Sequence, residues 1–229
     1  MKAIVEARNL HKVYRADGVE TPALRGVDFS ARAGEFTAIA GPSGSGKSTL
    51  LHLLGGLDRP SEGEVWLGGE RLDDKSAVER ARLRLWKVGF VFQAYNLIPV
   101  LTALENAAFV LELRGLPASE RVPRARAALV ELEMQDYADR RPNQLSGGQQ
   151  QRVAVARALA AEPAVVFADE PTANLDSKTG LALIEYMKRL NREKGLTFVF
   201  STHDPRLLDH VRRVVHLEDG RIVAEEGMG

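Results

Sequence analysis

The sequence predicts an α/β fold with a mostly parallel sheet and a helical subdomain inserted into it. Short apolar stretches typical of buried strands alternate with stretches of helix-forming residues near both ends of the chain. Helical crossovers between successive strands make those strands parallel, so this alternation predicts the parallel sheet. Between residues 94 and 161 the composition changes to helix formers with few β-branched runs, which predicts the insertion.

Residues 1–93 are predicted to contain short strands and one early helix. The helix begins at Lys47 and ends near Leu54. The strands are apolar or alternating stretches between turn residues, at positions 3–8, 27–31, 36–40, 63–69 and 88–92. The last of them, VGFVF, is continuously apolar and is therefore expected to be buried on both faces.

The rest of the chain is predicted to be helical first and α/β afterwards. Helices are expected over residues 101–115, 119–134 and 147–161, and a further helix over about 178–193. Strands are expected at 164–170, 196–202 and 212–219. We therefore expect one domain of residues 1–229, with a core of residues 1–93 and 162–229 and a helical subdomain of residues 94–161. Two arginine groups are expected on solvated helix faces, with a binding patch as the alternative: Arg80, Arg82, Arg84, Arg121, Arg124 and Arg126.

Composition excludes several classes of protein. Lysines and arginines number 31 and aspartates and glutamates also 31, so no basic field predicts nucleic-acid binding and no nucleic-acid partner is expected. The chain has no cysteine, which excludes disulfides and thiolate metal sites. No stretch approaches the roughly 18–20 apolar residues of a membrane span, and Glu6 and Arg8 interrupt any secretory signal core. We therefore expect a chain that is soluble by itself and reaches a membrane only through a partner.

The stretch GPSGSGKS, residues 41–48, matches the phosphate-loop pattern G-x-x-x-x-G-K-[ST]. It lies between the apolar strand FTAIA and the helix KSTLLHLL, which is the context that the pattern requires. Its glycines allow the backbone to wrap a polyphosphate with the N–H groups pointing inward, Lys47 reaches the β- and γ-phosphates, and Ser48 ligates Mg²⁺. The alternative is a glycine-rich turn without a ligand, which this context disfavours.

VVFADE, residues 165–170, is a predicted buried strand that ends in two carboxylates. Ligands of parallel α/β sheets bind at the carboxyl ends of the strands, so Asp169 and Glu170 are expected in the crevice of the phosphate loop. One acid can hold the metal through water, and the next can orient or deprotonate the water that attacks the γ-phosphate. The alternative, a cap for the following turn, is disfavoured beside a phosphate loop.

Two other polar side chains end predicted strands. Gln93 ends the strand VGFVF, and His203 ends LTFVFST. Each is expected at the carboxyl end of its strand, where it can contact the metal, the attacking water or the γ-phosphate. Taken alone, such a residue is more often a hydrogen-bonded structural group, and that alternative stays open.

A second phosphate site is predicted at NQLSGGQQQR, residues 143–152. Ser146 and Gln149 have the spacing of a capping box at a helix start. Gly147 and Gly148 each cost about 0.5–1 kcal/mol relative to alanine, but they leave the unpaired N–H groups of that start open to an anion. The site has no lysine, so it suits the outer face of a phosphate that the first site already neutralises. The simplest arrangement that uses both sites is two chains placed head to tail.

In their order along the chain, these motifs resemble those of the nucleotide-binding subunits of ATP-binding-cassette (ABC) transporters, and the resemblance covers almost the whole sequence. GPSGSGKS is similar to the Walker A loop, and FVFQ, which ends at Gln93, to the Q-loop. LSGGQ (145–149) is similar to the signature, and VVFADE to Walker B with its catalytic glutamate. ANLD (173–176) is similar to the D-loop, and STHD to the switch-histidine segment.

The resemblance implies a P-loop NTPase core, an N-terminal antiparallel β subdomain and a homodimer that clamps two Mg-ATP, with Walker A of one chain facing the signature of the other. By resemblance, Glu170 polarises the water, His203 contacts the γ-phosphate and Tyr14 stacks on adenine. The implied catalytic residues are Glu170, His203, Gln93 and Lys47, and the implied metal ligands are Ser48, Gln93 and Asp169. The implied nucleotide-binding residues are Tyr14, Gly41, Ser43, Gly44, Ser45, Gly46, Lys47, Ser48, Thr49, Ser146, Gly147, Gly148, Gln149 and Asp176, the last as a link between the two sites.

The resemblance further implies that ATP hydrolysis drives a separate integral membrane permease on the cytoplasmic face of the inner (plasma) membrane, docked near Gln93 and residues 94–115. GGLDRPSEGEV and VGFVFQAYNLIPVLTALEN are similar to the branch of lipoprotein-releasing, macrolide-exporting and cell-division ATPases, although Ala173 stands where the D-loop usually has glycine. The implied output is export, lipoprotein release or mechanotransmission. The alternative is a soluble cassette ATPase that acts on DNA or the ribosome, which the absence of cysteine, of a heptad run and of a second motif set disfavours.

Overall fold

The computed structural model describes residues 3–16 and 18–227. Its strands, in chain order, are β1 (Ala3–Ala16), β2 (Val19–Arg32), β3 (Phe36–Ala40), β4 (Glu62–Leu67), β5 (Glu70–Arg71), β6 (Val88–Val91), β7 (Val165–Ala168), β8 (Thr197–Thr202), β9 (Arg213–Glu218) and β10 (Arg221–Glu226). Its helices are α1 (Lys47–Leu54), α2 (Ala77–Lys87), α3 (Ala103–Leu113), α4 (Ala118–Glu131), α5 (Gly147–Ala160) and α6 (Ser177–Lys194). Short 3₁₀ helices lie at Gln135–Tyr137, Pro142–Gln144 and Pro205–His210.

The larger sheet has the strand order β10-β9-β3-β8-β7-β6. Its pairs from β9 to β6 are parallel, and β10 pairs antiparallel with β9 at one edge. The strands β3, β7 and β8 are buried along their whole length, as expected for parallel strands covered on both faces. The predicted α/β fold with a mostly parallel sheet is therefore confirmed.

The smaller sheet is antiparallel, with the strand order β2-β1-β4-β5, and it confirms the implied antiparallel β subdomain. Its strands β1 and β2 form one long hairpin, whereas the sequence predicted strands only at 3–8 and 27–31. That prediction was too short because the outer half of the hairpin is largely exposed and lacks the apolar alternation by which strands are recognised. Asn9, at φ 45°, lies where the pairing register shifts.

The predicted elements omitted the helix α2 and the edge strand β10. The helix α2 begins with a capping box between Ser76 and Glu79, but Leu83 is its one buried residue and the segment is rich in charged residues, so it lacks the apolar content by which core helices are recognised. The strand β10 is mostly exposed and has an acidic end. The other predicted elements begin and end within a few residues of those observed.

The arginine groups are only partly on solvated faces. Arg80 and Arg84 are half-buried and donate to the carbonyl oxygens of Lys75 and Gly56, because long stems can pack while the guanidinium finds backbone acceptors. Arg121 is also half-buried and donates to a carbonyl oxygen. The prediction of solvated arginines is confirmed for the exposed ones, which are Arg82, Arg124 and Arg126.

Apolar side chains cover both faces of the larger sheet. On one face the smaller sheet and α1 pack against it, through buried residues such as Val5, Leu50 and Phe167. On the other face the helices α3 to α6 pack, through residues such as Leu111 and Phe198. The division of the chain into a core and a helical subdomain stays a prediction. Within the described residues, no helix is both long enough and apolar enough to cross a bilayer.

Candidate active site

The phosphate loop connects the carboxyl end of β3 to the first residue of α1. Gly46, at φ 104°, caps α1, and a Cβ there would lie 2.5 Å from the carbonyl oxygen of Ala23 in β2. A Cβ on Gly41 would lie 2.1 Å from the carbonyl oxygen of Leu217 in β9. Both positions require glycine because the loop lies directly against these two strands. Ser43 and Gly44 are exposed at the loop tip, and Ser48 and Thr49 are half-buried in the first turn of α1.

The side chain of Lys47 folds back over this loop. It is 4% exposed, and its Nζ donates to the carbonyl oxygens of Gly41 and Pro42, each at 2.9 Å. The hydroxyl of Ser45 is buried and has no hydrogen-bond partner in the described part of the chain. The first N–H groups of α1 have no partner inside their own helix. A buried ammonium and unpaired donors at one helix start fit the oxygens of a phosphate chain.

Asp169 follows β7 and faces the start of α1. The hydroxyl of Ser48 donates to its Oδ1 at 2.8 Å, and the imidazole Nε2 of His52 lies 3.9 Å from its Oδ2. Carboxylate and hydroxyl oxygens at this spacing fit a hard divalent cation such as Mg²⁺. Among the described residues, no group of three or more His, Cys, Asp or Glu side chains is placed to hold a metal ion. Phosphate oxygens or water would therefore complete the coordination at Ser48 and Asp169.

Ser201 is a site residue that the sequence reasoning missed. It lies in β8, is fully buried, and its hydroxyl donates to Oδ1 of Asp169 at 2.7 Å while accepting from the N–H of Glu170 at 2.8 Å. Glu170 has left-handed backbone, φ 42°, which a residue other than glycine keeps only when its surroundings hold it. The signal was available, because Ser201 directly follows the apolar run of residues 198–200 in β8, one residue beyond the level where the neighbouring strand β7 ends.

The carboxylate of Glu170 lies between a cation and an imidazole. Its Oε1 is 3.6 Å from Nζ of Lys47, and its Oε2 is 2.9 Å from Nδ1 of His203. The Glu170 side chain is 15% exposed and the His203 side chain 51% exposed, so the pair lies at the mouth of the crevice. A carboxylate oriented in this way beside a phosphate site can accept a proton from water. The structure therefore brings together Lys47, Ser48, Asp169, Glu170 and His203.

Gln93 is not part of this cluster. Its side chain is exposed and forms no hydrogen bond with any described residue. Its carbonyl oxygen accepts from Nδ2 of Asn174 at 2.8 Å, which ties the end of β6 to the loop after Glu170. The backbone of Gln93 is thus fixed beside the site while its side chain is left at the surface.

Tyr14 lies near the outer half of the long hairpin, opposite Thr21. Its hydroxyl donates to Oδ2 of Asp58 at 3.2 Å, and Nζ of Lys12 lies 4.9 Å from its ring centroid. Partial burial raises the pKa of Asp58, but hydrogen bonds from Lys12, the Arg59 N–H and Tyr14 outweigh it, so the pKa stays below its usual value. The ring is 40% exposed, which leaves apolar surface for a planar ligand.

The predicted capping box at the start of α5 is confirmed. The hydroxyl of Ser146 accepts from the N–H of Gln149 at 3.3 Å, and the N–H of Ser146 donates to Oε1 of Gln149 at 2.9 Å. The glycines between them have neighbours that the sequence did not predict. A Cβ on Gly147 would lie 2.8 Å from the hydroxyl of Tyr95, and one on Gly148 would lie 2.7 Å from Cγ2 of Thr179.

Asp176 caps α6 and contacts the same threonine. Its Oδ1 accepts from the N–H groups of Lys178 and Thr179, and its Oδ2 accepts from Oγ1 of Thr179 at 2.6 Å. These bonds, led by the threonine hydroxyl, lower the pKa of Asp176. At the start of α5, Ser146 and Gln149 form no hydrogen bond to the phosphate loop. The nearest neighbours of Gly147 and Gly148 also lie outside that loop. One chain thus keeps its two predicted phosphate sites apart.

Comparison with known proteins follows the same motifs. The family model described as ABC transporter matches residues 24–173. An uncharacterized ABC transporter ATP-binding protein of Thermotoga maritima is 48% identical over 229 residues, which cover 100% of this chain and 97% of that protein. The lipoprotein-releasing system ATP-binding protein LolD of Anaeromyxobacter dehalogenans is 48% identical over 225 residues, 96% of this chain and 93% of that protein.

The fold agrees with a solved cassette. The dimeric, post-hydrolysis structure of the ATP-binding cassette MJ0796 bound to ADP and Pi, a protein of Methanocaldococcus jannaschii, superposes with a TM-score of 0.91 at 44% identity, over 98% of this chain and 99% of that one. These similarities confirm the resemblance and do not favour a role on DNA or the ribosome. The chain belongs to the ABC transporter family, as an ATP-binding cassette that hydrolyses ATP.

Proposed function

We propose that two copies of this chain bind two ATP molecules head to tail and that their hydrolysis drives a separate membrane permease. The observation that carries the two-copy arrangement is the separation of the two phosphate sites within one chain. The hydrogen bonds of Lys47 in the phosphate loop and those of Ser146 at the start of α5 do not join the two sites. A second copy supplies the missing half of each site, in line with the dimeric state named for the MJ0796 cassette.

The phosphate loop is proposed to hold ATP by exchanging internal contacts for phosphate oxygens. Lys47 gives up the carbonyl oxygens of Gly41 and Pro42, and the N–H groups of the loop and of Thr49 point at the phosphates. The residues proposed to hold Mg²⁺ are Ser48, Asp169 and Gln93. Bound there, Mg²⁺ neutralises charge on the β- and γ-phosphates. Tyr14 is proposed to stack on the adenine through its exposed ring face.

Hydrolysis is proposed to use Glu170 as the base for the attacking water. The contact with His203 and the hydrogen bond that the Glu170 N–H donates to the Ser201 hydroxyl orient this residue before nucleotide binds, so little reorganisation is needed at the reaction. His203, half-exposed at the mouth of the crevice, is proposed to contact the γ-phosphate with its other ring nitrogen. The start of α5 on the second copy then covers that phosphate, with Gly147 and Gly148 leaving its N–H groups bare.

The experiment that tests the two-copy arrangement uses Glu170→Gln, which retains ATP without turning it over. With Mg-ATP, size-exclusion chromatography with light scattering should give about twice the 25.1 kDa mass of one chain. Without Mg-ATP it should give the mass of one chain. The matched control is Glu185→Gln, which alters a carboxylate that contacts a different histidine, His210, at 2.7 Å. A monomer at saturating Mg-ATP would contradict the arrangement.

The permease is proposed to dock in a groove beside Gln93. This groove, of about 300 Å³, lies between α2, β6, α3 and α5, and its apolar lining includes Leu85, Phe90, Phe92, Phe109 and Leu113. An amphipathic helix of a membrane protein fits such a groove, and it would hold the cassette at the cytoplasmic face of the membrane. The lipoprotein-releasing role named for LolD makes release or export of a membrane-derived cargo the proposed output.

Docking is tested by co-purification with candidate permeases co-expressed in membranes. Leu113→Asp should abolish recovery of the cassette with its permease, because a carboxylate in the groove cannot be desolvated cheaply. Val130→Asp on α4 is the matched control, since both side chains are 57% exposed and neither change should disturb the fold. Equal recovery of both variants would place the permease elsewhere.

A further inference from the structure

The segment that follows Gln93 has an unusual backbone. Tyr95 and Asn96 both adopt left-handed conformations, at φ 59° and φ 50°. Asparagine tolerates this region better than most residues, but a bulky tyrosine does not. Two consecutive residues of this kind keep their conformation only where neighbouring groups hold them.

One side chain, that of Arg157 in the last turn of α5, binds the carbonyl oxygens of both residues. Its Nη2 donates to the carbonyl oxygen of Tyr95 at 2.9 Å, and its Nη1 donates to that of Asn96. Burial lowers the pKa of this guanidinium, since its hydrogen-bond acceptors here are neutral carbonyls. One planar guanidinium thus binds both carbonyls while both residues are left-handed.

The same segment contacts the residues proposed for both nucleotide sites. The carbonyl oxygen of Gln93 is held by Asn174, in the loop between Glu170 and Asp176. At the other side, the Tyr95 hydroxyl lies 2.8 Å from the point that a Cβ of Gly147 would occupy. Residues 93–96 thus contact α5 at both of its ends and the loop that follows the catalytic carboxylate.

We propose that Arg157 is a positioning residue that holds Tyr95 and Asn96 in their left-handed conformations, and thereby fixes Gln93 of one nucleotide site relative to Gly147 of the other. The inference rests on the proposed two-copy function, because only there do the two residues serve different ATP molecules. Without Arg157 the segment relaxes to ordinary backbone angles, and both Gln93 and the Tyr95 ring shift. In the absence of Mg²⁺, ATP binding to the phosphate loop of one chain uses Lys47 and the N–H groups of the loop and not this segment, so it stays unchanged.

The test is Arg157→Gln, with Arg157→Lys as a milder second variant, and with Asn96→Gly as the rescue. Glycine adopts left-handed backbone without strain, so Asn96→Gly, which relieves one of the two left-handed residues, should restore part of the turnover in the Arg157→Gln background while changing little by itself. We expect Arg157→Gln to lower kcat about tenfold or more, and Arg157→Lys to lower it less, because lysine reaches one carbonyl at a time. The affinity of the monomer for a fluorescent ATP analogue, measured without Mg²⁺, should not change.

Arg114→Gln is the matched control. Arg114 is also half-buried and donates to backbone carbonyl oxygens, those of Leu85, Trp86 and Ala161, but it does not touch residues 93–96. Any loss that it causes should follow the unfolding temperature and should not be rescued by Asn96→Gly. A double-mutant cycle on kcat separates the two cases, because only coupled residues deviate from additivity.

The outcomes separate this inference from the proposed function. The parent Glu170→Gln chain is first tested for its ATP-dependent dimer, and a parent that stays monomeric contradicts the two-copy function and this inference with it. If the Glu170→Gln chain does form the ATP-dependent dimer, full kcat in Arg157→Gln or Arg157→Lys, each made in the chain that retains Glu170, contradicts the inference alone. So does a loss that Asn96→Gly rescues no better in Arg157→Gln than in Arg114→Gln.

Discussion

The imidazole Nδ1 of His203 lies 2.9 Å from Oε2 of Glu170, while the other oxygen of that carboxylate lies 3.6 Å from Nζ of Lys47. The two partners come from the carboxyl end of β8 and from the start of α1. A carboxylate held from both sides is oriented before any substrate arrives, which is the preorganisation that electrostatic catalysis requires. The position of the Glu170 carboxylate therefore depends on that of Lys47, whose Nζ also donates to the carbonyl oxygens of Gly41 and Pro42.

Glu170→Gln should lower ATP turnover by roughly 10²–10⁴-fold, the loss expected for a general base. The amide keeps the shape of the side chain, so nucleotide affinity should stay the same. Steady-state phosphate release and nucleotide titration measure the two quantities separately. Normal turnover in Glu170→Gln would mean that another group is the base, whereas Glu185→Gln should turn over ATP normally because Glu185 contacts His210 and Lys188 and not the phosphate loop.

Ser201→Ala should lower turnover about tenfold and raise the Mg²⁺ concentration needed for activity. The change removes the hydroxyl that donates to Asp169 and leaves the N–H of Glu170 without its acceptor. Thr197→Val is the control, since it removes a buried hydroxyl at the other end of β8, one that accepts from the N–H of Gly34. If Ser201→Ala lost only thermal stability, as Thr197→Val should, Ser201 would have no positioning role.

Gly148→Ala should weaken the chain in two separable ways. Its Cβ would meet Cγ2 of Thr179, so the unfolding temperature should fall by about 2–4 °C for each kcal/mol of strain. Its methyl group would also cover the N–H groups at the start of α5, so the ATP-dependent dimer should weaken.

Thr179→Ser separates these two effects. It removes Cγ2 and retains the hydroxyl that donates to Asp176. In the Gly148→Ala background it should restore the unfolding temperature and leave the dimer weak, as measured by calorimetry and light scattering. Recovery of the dimer together with the stability would assign Gly148 to packing within the chain alone.

Asp73→Asn should lower the unfolding temperature at neutral pH, and this difference from the unchanged chain should vanish at acid pH. Burial raises the pKa of Asp73, but hydrogen bonds from Arg71 and the N–H of Val65 outweigh it and lower the pKa below the ordinary value of 3.8. A lowered pKa in the folded state stabilises above the unfolded value and loses its contribution as pH falls through the folded value. Unfolding temperatures of both chains should therefore differ at pH 7 and converge as the pH falls below 3.8 and through the lowered pKa of Asp73. A difference that persists in acid would point to packing and not to charge.

Several parts of the site could be predicted because their chemistry is local along the chain. The phosphate loop needs its glycines, lysine and serine at fixed spacing, and the capping box needs Ser146 and Gln149 three residues apart, so both are readable in a single segment. Asp169 and Glu170 were predictable because carboxylates directly follow an apolar strand. The long hairpin was not, because its outer half is held by backbone pairing and carries no apolar pattern.

The sequence by itself determined the fold class, most of the strands and helices apart from α2 and β10, and the residues able to bind a phosphate chain, since each of these is encoded by residue patterns within single segments. Only the tertiary structure decided which distant residues meet: Ser201 on Asp169, Arg157 on the carbonyls of Tyr95 and Asn96, and Thr179 against Gly148. The physical reason is that such contacts depend on how strands pair and helices pack, and that geometry leaves no fixed spacing in the chain.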